Sequence, residues 1–178
     1  FFTDQDSAVV WRGPMAAKAL TQMFTDAEWG KLDYLLIDLP PGTGDIHLSL
    51  VQTVPLDGVV IVSTPQEVAL ADARRGVNMF KLDTIKVPVV GIIENMAWFT
   101  PAELPDNKYY IFGRDGAKNL AEGLNVPFIG QLPLVQSVCE AGDAGRPAVF
   151  QEGTPITFAL DELVTSFVKE VKNVKDKK

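Results

Sequence analysis

Residues 34–45 read Tyr34-Leu35-Leu36-Ile37-Asp38-Leu39-Pro40-Pro41-Gly42-Thr43-Gly44-Asp45. An apolar run closes on a carboxylate, two prolines stiffen the exit, and glycines lead into an acidic helix start. Pro40 and Pro41 fix φ and carry no N–H, so they cannot continue a central strand. Gly42 and Gly44 let backbone come close to a ligand and offer N–H groups in geometries that other residues resist. Asp38 stands where an α/β nucleotide hydrolase holds magnesium, usually through water. Thr43 would add a hydroxyl or an N–H toward a terminal phosphate or the attacking water. The same stretch also reads as a plain strand-to-helix connection, with Thr43 or Asp45 capping the helix.

Outward from this stretch, strands and helices alternate. Apolar runs at Ala8–Trp11, Tyr34–Leu39, Gly58–Ser63, Val87–Ile93 and Phe128–Leu132 are predicted strands. Gly13-Pro14 opens a helix to about Glu28, with Met15, Ala19, Leu20, Met23 and Phe24 as its apolar stripe. A second helix follows from Asp45 to about Thr53. Thr64-Pro65-Gln66-Glu67 has the form of a capping box for a third, running to about Leu82. A fourth spans about Asp115 to Leu124. Thr154-Pro155 caps the last, which carries Leu160, Leu163, Val164, Phe167, Val168 and Val171 on one face. Continuous apolar strands separated by helices predict an α/β fold, a doubly wound and mostly parallel sheet with helices on both faces. Residues 1–178 suit a single domain or a large part of one. The one long irregular stretch, Ala97–Tyr110, is proline-rich and flanked by aromatics, as functional loops often are.

Composition narrows the class. A net charge of −7 and a pI near 4.7 argue against non-specific nucleic-acid binding. The tail Lys169–Lys178 is the exception, with five lysines at a helix end. No apolar run approaches a membrane span, so no membrane partner is expected. The lone cysteine, Cys139, excludes an intrachain disulfide and fits a reducing compartment, with the cytoplasm as the expectation.

A P-loop needs Gly-x-x-x-x-Gly-Lys-[Ser/Thr] between strand and helix. The only Gly-Lys pair here, Gly30-Lys31, is followed by Leu32 and preceded at the first glycine position by Thr25. A Gly-x-Gly-x-x-Gly after a strand, which a nicotinamide site would need, is also missing. Asn95 follows the fourth predicted strand, at the carboxyl edge where α/β folds bind ligands. Its amide could engage an adenine edge or simply cap a loop. Arg12 would face the same edge, to meet a phosphate or a partner subunit, or else pair with Asp33.

Trp11-Arg12-Gly13-Pro14-Met15, Leu32-Asp33-Tyr34 with Asp38–Asp45, Ser63-Thr64-Pro65-Gln66, Glu94-Asn95-Met96 and Glu140–Pro147 together resemble the Mrp/ApbC family. These are deviant-Walker ATPases of the MinD/ParA-like group, regarded as iron–sulfur cluster carriers or assembly factors. The resemblance spans about Ala8 to Pro147. It implies a P-loop NTPase fold that is N-terminally incomplete here, with the deviant Walker A motif upstream of Phe1 and this chain alone inactive. It implies ATP and Mg as cofactors, with Asp38 organising the metal and Pro41, Gly42 and Gly44 beside the γ-phosphate. Asn95 and backbone at Pro133 would hold the base. A homodimer through the nucleotide face and iron–sulfur apoproteins or assembly proteins would be the partners. The family's Cys-Pro-x-Cys is replaced by Thr100-Pro101-Ala102-Glu103, and oxygen is a poor substitute for thiolate, so no residue is assigned to a cluster. A second reading is therefore an interaction module, or a regulatory ATPase that binds no cluster. His47 reads as an ordinary surface or packing residue.

Overall fold

The computed structural model describes residues 13–40 and 42–177. The expected strand Ala8–Trp11, together with Arg12 and Pro41, lies outside the described residues. The chain divides into two compact units, Phe1–Leu56 and Asp57–Lys178.

In the first unit, helices α1 (Gly13–Thr25) and α2 (Asp45–Thr53) pack on one another. Helix α1 stops three residues before the expected Glu28 because its last turn is closed from outside the helix. The Trp29 indole N–H donates to the Phe24 carbonyl at 3.3 Å, and the Thr25 hydroxyl bonds Asp26 at 2.8 Å. The stretch Tyr34–Leu39, expected as a strand, belongs to no sheet among the described residues. Leu36 is 77% exposed. An apolar run becomes a strand only where a neighbouring edge takes its backbone hydrogen bonds, and composition does not report that neighbour.

The second unit holds a parallel three-stranded sheet in the order β1 (Val59–Ser63), β2 (Val89–Glu94), β3 (Phe128–Gln131). Each crossover carries a helix, as parallel pairing requires. Helix α3 (Glu67–Lys81) follows β1, α4 (Gly116–Gly123) precedes β3, and α5 (Gln136–Asp143) and α6 (Pro155–Lys175) complete the chain. Helix α5 is absent from the sequence-based expectation. Its eight residues hold only Val138, Cys139 and Ala141 as apolar side chains, too few to show a helical period.

Leu70, Ala73 and Val77 of α3 meet Ile92 of β2 and Ala117, Leu120 and Ala121 of α4 in one buried cluster. Helix α6 covers the other face, where Leu163 lies over Gly130. Burying about seven such side chains supplies the second unit with its core, each worth roughly 1.5–3 kcal/mol if large. Thr154 caps α6 as expected, its Oγ1 accepting from the Thr157 N–H, with Pro155 at the first position.

The capping box expected at Thr64 does not form. Helix α3 begins at Glu67 with Gln66 as its N-cap and no side-chain cap bond. Thr64 and Pro65 instead cross toward α4, where Pro65 packs against Gly113 and Gly116.

Candidate functional site

The loop after Asp38 belongs to the first unit. Asp38, Gly42, Thr43 and Gly44 are all exposed. Gly42 adopts φ +100°, a conformation closed to ordinary L residues. Gly44 is the N-cap of α2, and no side chain caps that helix. A Cβ placed on Gly42 or Gly44 would meet nothing within 4 Å, so the backbone is open to approach. Open amides at a helix N-terminus suit an anion, because the first-turn N–H groups lack intrahelical partners and the helix dipole favours negative charge. Asp38 offers an oxygen ligand of the kind magnesium takes. The residues present therefore fit a phosphate and its metal. His47, on α2, is 6% exposed with no hydrogen-bond partner for Nδ1, which makes it a packed residue rather than a surface one.

Asn95 and Pro133 belong to the second unit and come together. The chains leaving β2 and β3 stay paired past the strands themselves. Leu132 N–H donates to Glu94 O at 2.9 Å, Ala97 N–H to Leu132 O at 2.9 Å, and Leu134 N–H to Trp98 O at 2.8 Å. Asn95, by contrast, donates its N–H to Ser63 O on the β1 side at 2.8 Å. Between them Met96 takes φ +55°, which carries the backbone from one neighbour to the other.

The Asn95 side chain supports that kink, Oδ1 accepting from the Met96 N–H at 3.0 Å. This places its oxygen in local service and leaves the Nδ2 donors for a ligand. A bidentate contact would have to use the oxygen's second lone pair. The loop-capping alternative for Asn95 is thus observed, and it is compatible with the ligand-binding one.

The most deeply buried polar group at this edge had no role assigned to it from sequence. Glu94 is 0% exposed, and both carboxylate oxygens are bonded. Oε2 accepts from the Ala117 N–H at 2.7 Å, in the first turn of α4, and Oε1 accepts from Gln131 Nε2 at 2.7 Å. Gln131 Nε2 also donates to Asp115 Oδ1 at 3.0 Å. The available signal was a lone acid closing an otherwise apolar strand, Val89-Val90-Gly91-Ile92-Ile93-Glu94. A buried carboxylate persists only when it is paired or hydrogen-bonded.

The loop after Asn95 is a fastened finger. Phe99 exchanges backbone hydrogen bonds with Tyr109 at 2.8 Å in each direction and forms a parallel bridge with Leu134. Lys108 Nζ lies 4.0 Å from the Trp98 ring centre, and the Arg114 guanidinium 4.8 Å from that of Tyr110. Thr100–Glu103 occupies the finger's start, where Leu104 N–H closes a turn on Pro101 O at 3.1 Å. Cys139 is exposed on α5, its thiol 3.9 Å from Asp143 Oδ2. Among the described residues no group of three or more His, Cys, Asp or Glu could hold a metal ion, and no helix is long and apolar enough to cross a membrane. One thiol per chain does not fit an iron–sulfur cluster.

The chain is similar to known proteins. Residues 1–169 match the family described as ParA, the NUBPL iron-transfer P-loop NTPase. An iron-sulfur cluster carrier protein of Synechocystis is 48% identical over 152 residues, covering 85% of this chain and 42% of that protein. The mouse iron-sulfur cluster transfer protein NUBPL is 41% identical, covering 97% of this chain and 54% of that protein. The chain thus spans about half the length of these relatives. A solved nucleotide-binding protein in complex with ADP, from Archaeoglobus fulgidus, superposes with a TM-score of 0.67 at 38% identity, over 80% of this chain and 56% of that one. The MinD cell division ATPase of Pyrococcus furiosus shares the fold, with a TM-score of 0.61 at 18% identity over 91% of this chain and 63% of that one. The sheet, its crossover helices and this breadth of match lead to one conclusion: the chain belongs to the NUBPL iron-transfer P-loop NTPase family.

Proposed function

We propose that the full-length protein binds and hydrolyses ATP with magnesium and serves as an iron–sulfur cluster carrier or transfer factor in the cytoplasm. The observation that carries this reading is the open, glycine-built N-terminus of α2 directly after Asp38, in a chain 48% identical to an iron-sulfur cluster carrier protein. Bound Mg-ATP would supply the phosphoryl group that is transferred to water. Asp38 would hold the metal, and Thr43 would orient the attacking water or the γ-phosphate. Backbone amides at Gly42 and Gly44, with Pro41 stiffening the turn before them, read that phosphate. Asn95 Nδ2 and the backbone at Pro133 hold the base, while Arg12 meets a phosphate or a second subunit across a homodimer's nucleotide face. The chain 1–178 alone is inactive, because its sequence carries no lysine-bearing phosphate loop.

Cargo passes to iron–sulfur apoproteins or assembly proteins, and its thiolates come from elsewhere than Thr100–Glu103. A regulatory ATPase or interaction module that binds no cluster is the second reading, favoured by the oxygen-bearing side chains at Thr100 and Glu103. Magnesium-dependent ATP turnover by the full-length protein, against 1–178 as control, tests the first part. Anaerobic reconstitution with iron and sulfide tests the second. Turnover without visible charge-transfer bands would leave the regulatory ATPase, and absence of both would leave the interaction module.

A further inference from the structure

We propose that Glu94 is the positioning residue of the base-binding rim, holding Asn95 and Leu132-Pro133 in register through its buried carboxylate. The inference rests on the reading of Asn95 and Pro133 as base-holding residues. Three elements end at this edge, and Glu94 ties two of them to its own strand. Oε2 takes the Ala117 amide and so does for α4 what an N-cap side chain ordinarily does. Such a substitute is needed, because Asp115, the residue at the cap, sits at φ +55° and makes no side-chain cap bond. Oε1 takes one hydrogen of Gln131, whose amide nitrogen also serves Asp115. The amide's orientation is therefore fixed by two carboxylates, and Gln131 cannot turn without presenting oxygen to oxygen.

The consequence reaches the rim through the main chain. Glu94 O accepts from Leu132 N–H, Asn95 is the next residue, and Leu132 O accepts from Ala97 N–H. Asn95 thus follows Glu94 directly, and Pro133 follows Leu132, which is held on one side by the Glu94 carbonyl and on the other by Gln131, the partner of the Glu94 side chain. Loosening the carboxylate frees β3's end to slide against β2, and Asn95 loses its aim at whatever lies over Pro133.

Glu94→Gln in the full-length protein keeps the volume and removes the charge, so the amide must turn a donor toward Ala117 or Gln131. The expected result is about tenfold weaker ADP binding, the size of one misdirected hydrogen bond. In the double variant with Asn95→Ala the losses should fall well short of additive, because most of the Glu94 effect passes through Asn95. Additive losses would overturn the proposal, since a purely structural role lowers stability without requiring Asn95. If Asn95→Ala leaves ADP affinity unchanged, the base-binding reading falls, and amide hydrogen exchange decides the positioning role by itself. Faster exchange at Ala97, Ala117 and Leu132 in Glu94→Gln would support it, and unchanged exchange would overturn it. Should Glu94→Gln fail to fold, Gln131→Met removes the Oε1 donor while leaving the Ala117 bond, and the same measurements apply.

Discussion

Gly116 faces the carbonyl of Pro65 at a separation that leaves no room for a Cβ, so the first turn of α4 rests directly on the chain leaving β1. Backbone against backbone cannot yield as a flexible side chain can. Gly116→Ala should therefore destabilise the second unit by about 1–3 kcal/mol, the usual cost of overpacking. Urea unfolding of the variant measures it, and a loss below about 0.5 kcal/mol would mean that the contact is looser than described.

Ile92 has no solvent exposure and lies among residues of α3 and α4. Ile92→Ala removes three carbons from that cluster and should cost about 2–5 kcal/mol. The same denaturant titration serves, with an unchanged slope showing that the native state alone was affected.

Asp38 is exposed, so its loss should be felt in chemistry rather than in folding. In the full-length protein Asp38→Asn should lower magnesium-dependent ATP turnover by about a hundredfold or more, in line with the loss of a charge-stabilising group. Its melting temperature should stay within a degree or two of the parent's. Steady-state kinetics with varied magnesium would detect the opposite outcome, near-normal turnover, and with it the end of the metal-holding role.

Asn95→Asp separates the observed bond to Met96 from the proposed hold on the base. Aspartate keeps an oxygen for the Met96 N–H but replaces the Nδ2 donors with a second acceptor. ADP binding to the full-length protein should weaken by about tenfold or more, while the kink at Met96 and the protein's stability are retained. Isothermal titration beside a thermal melt distinguishes this from a general loosening, in which both would change together.

Thr100 precedes the turn closed by Leu104 on Pro101, and Glu103 lies within it. Placing thiols there, as Thr100→Cys with Glu103→Cys, should add visible charge-transfer absorption after anaerobic reconstitution of the full-length protein. Identical spectra for variant and parent would show that geometry, and not only ligand chemistry, excludes a cluster from the finger.

The sequence was most legible where structure is local. The Thr154-Pro155 cap, the start of α2 at Asp45 and the strands at Val59–Ser63, Val89–Glu94 and Phe128–Gln131 all answer to short-range chemistry. Reading failed where a distant neighbour decides. Tyr34–Leu39 has the composition of a buried strand, yet no described strand pairs with it. Thr64-Pro65-Gln66-Glu67 has the spacing of a capping box, yet Pro65 is drawn to Gly113 and Gly116, fifty residues on. The places of Asn95 and Leu132-Pro133, just past the ends of β2 and β3, were legible because each closes or follows an apolar run. The role of Glu94 was not, since its partners Ala117 and Gln131 are set by topology.

Phe99 has one main chain and two allegiances, to Tyr109 in the finger and to Leu134 beyond β3. A tether of that kind has no slack. A pull on the finger's tip would therefore reach Leu134 and the neighbouring Pro133, and a shift of Pro133 would travel back to the finger by the same route.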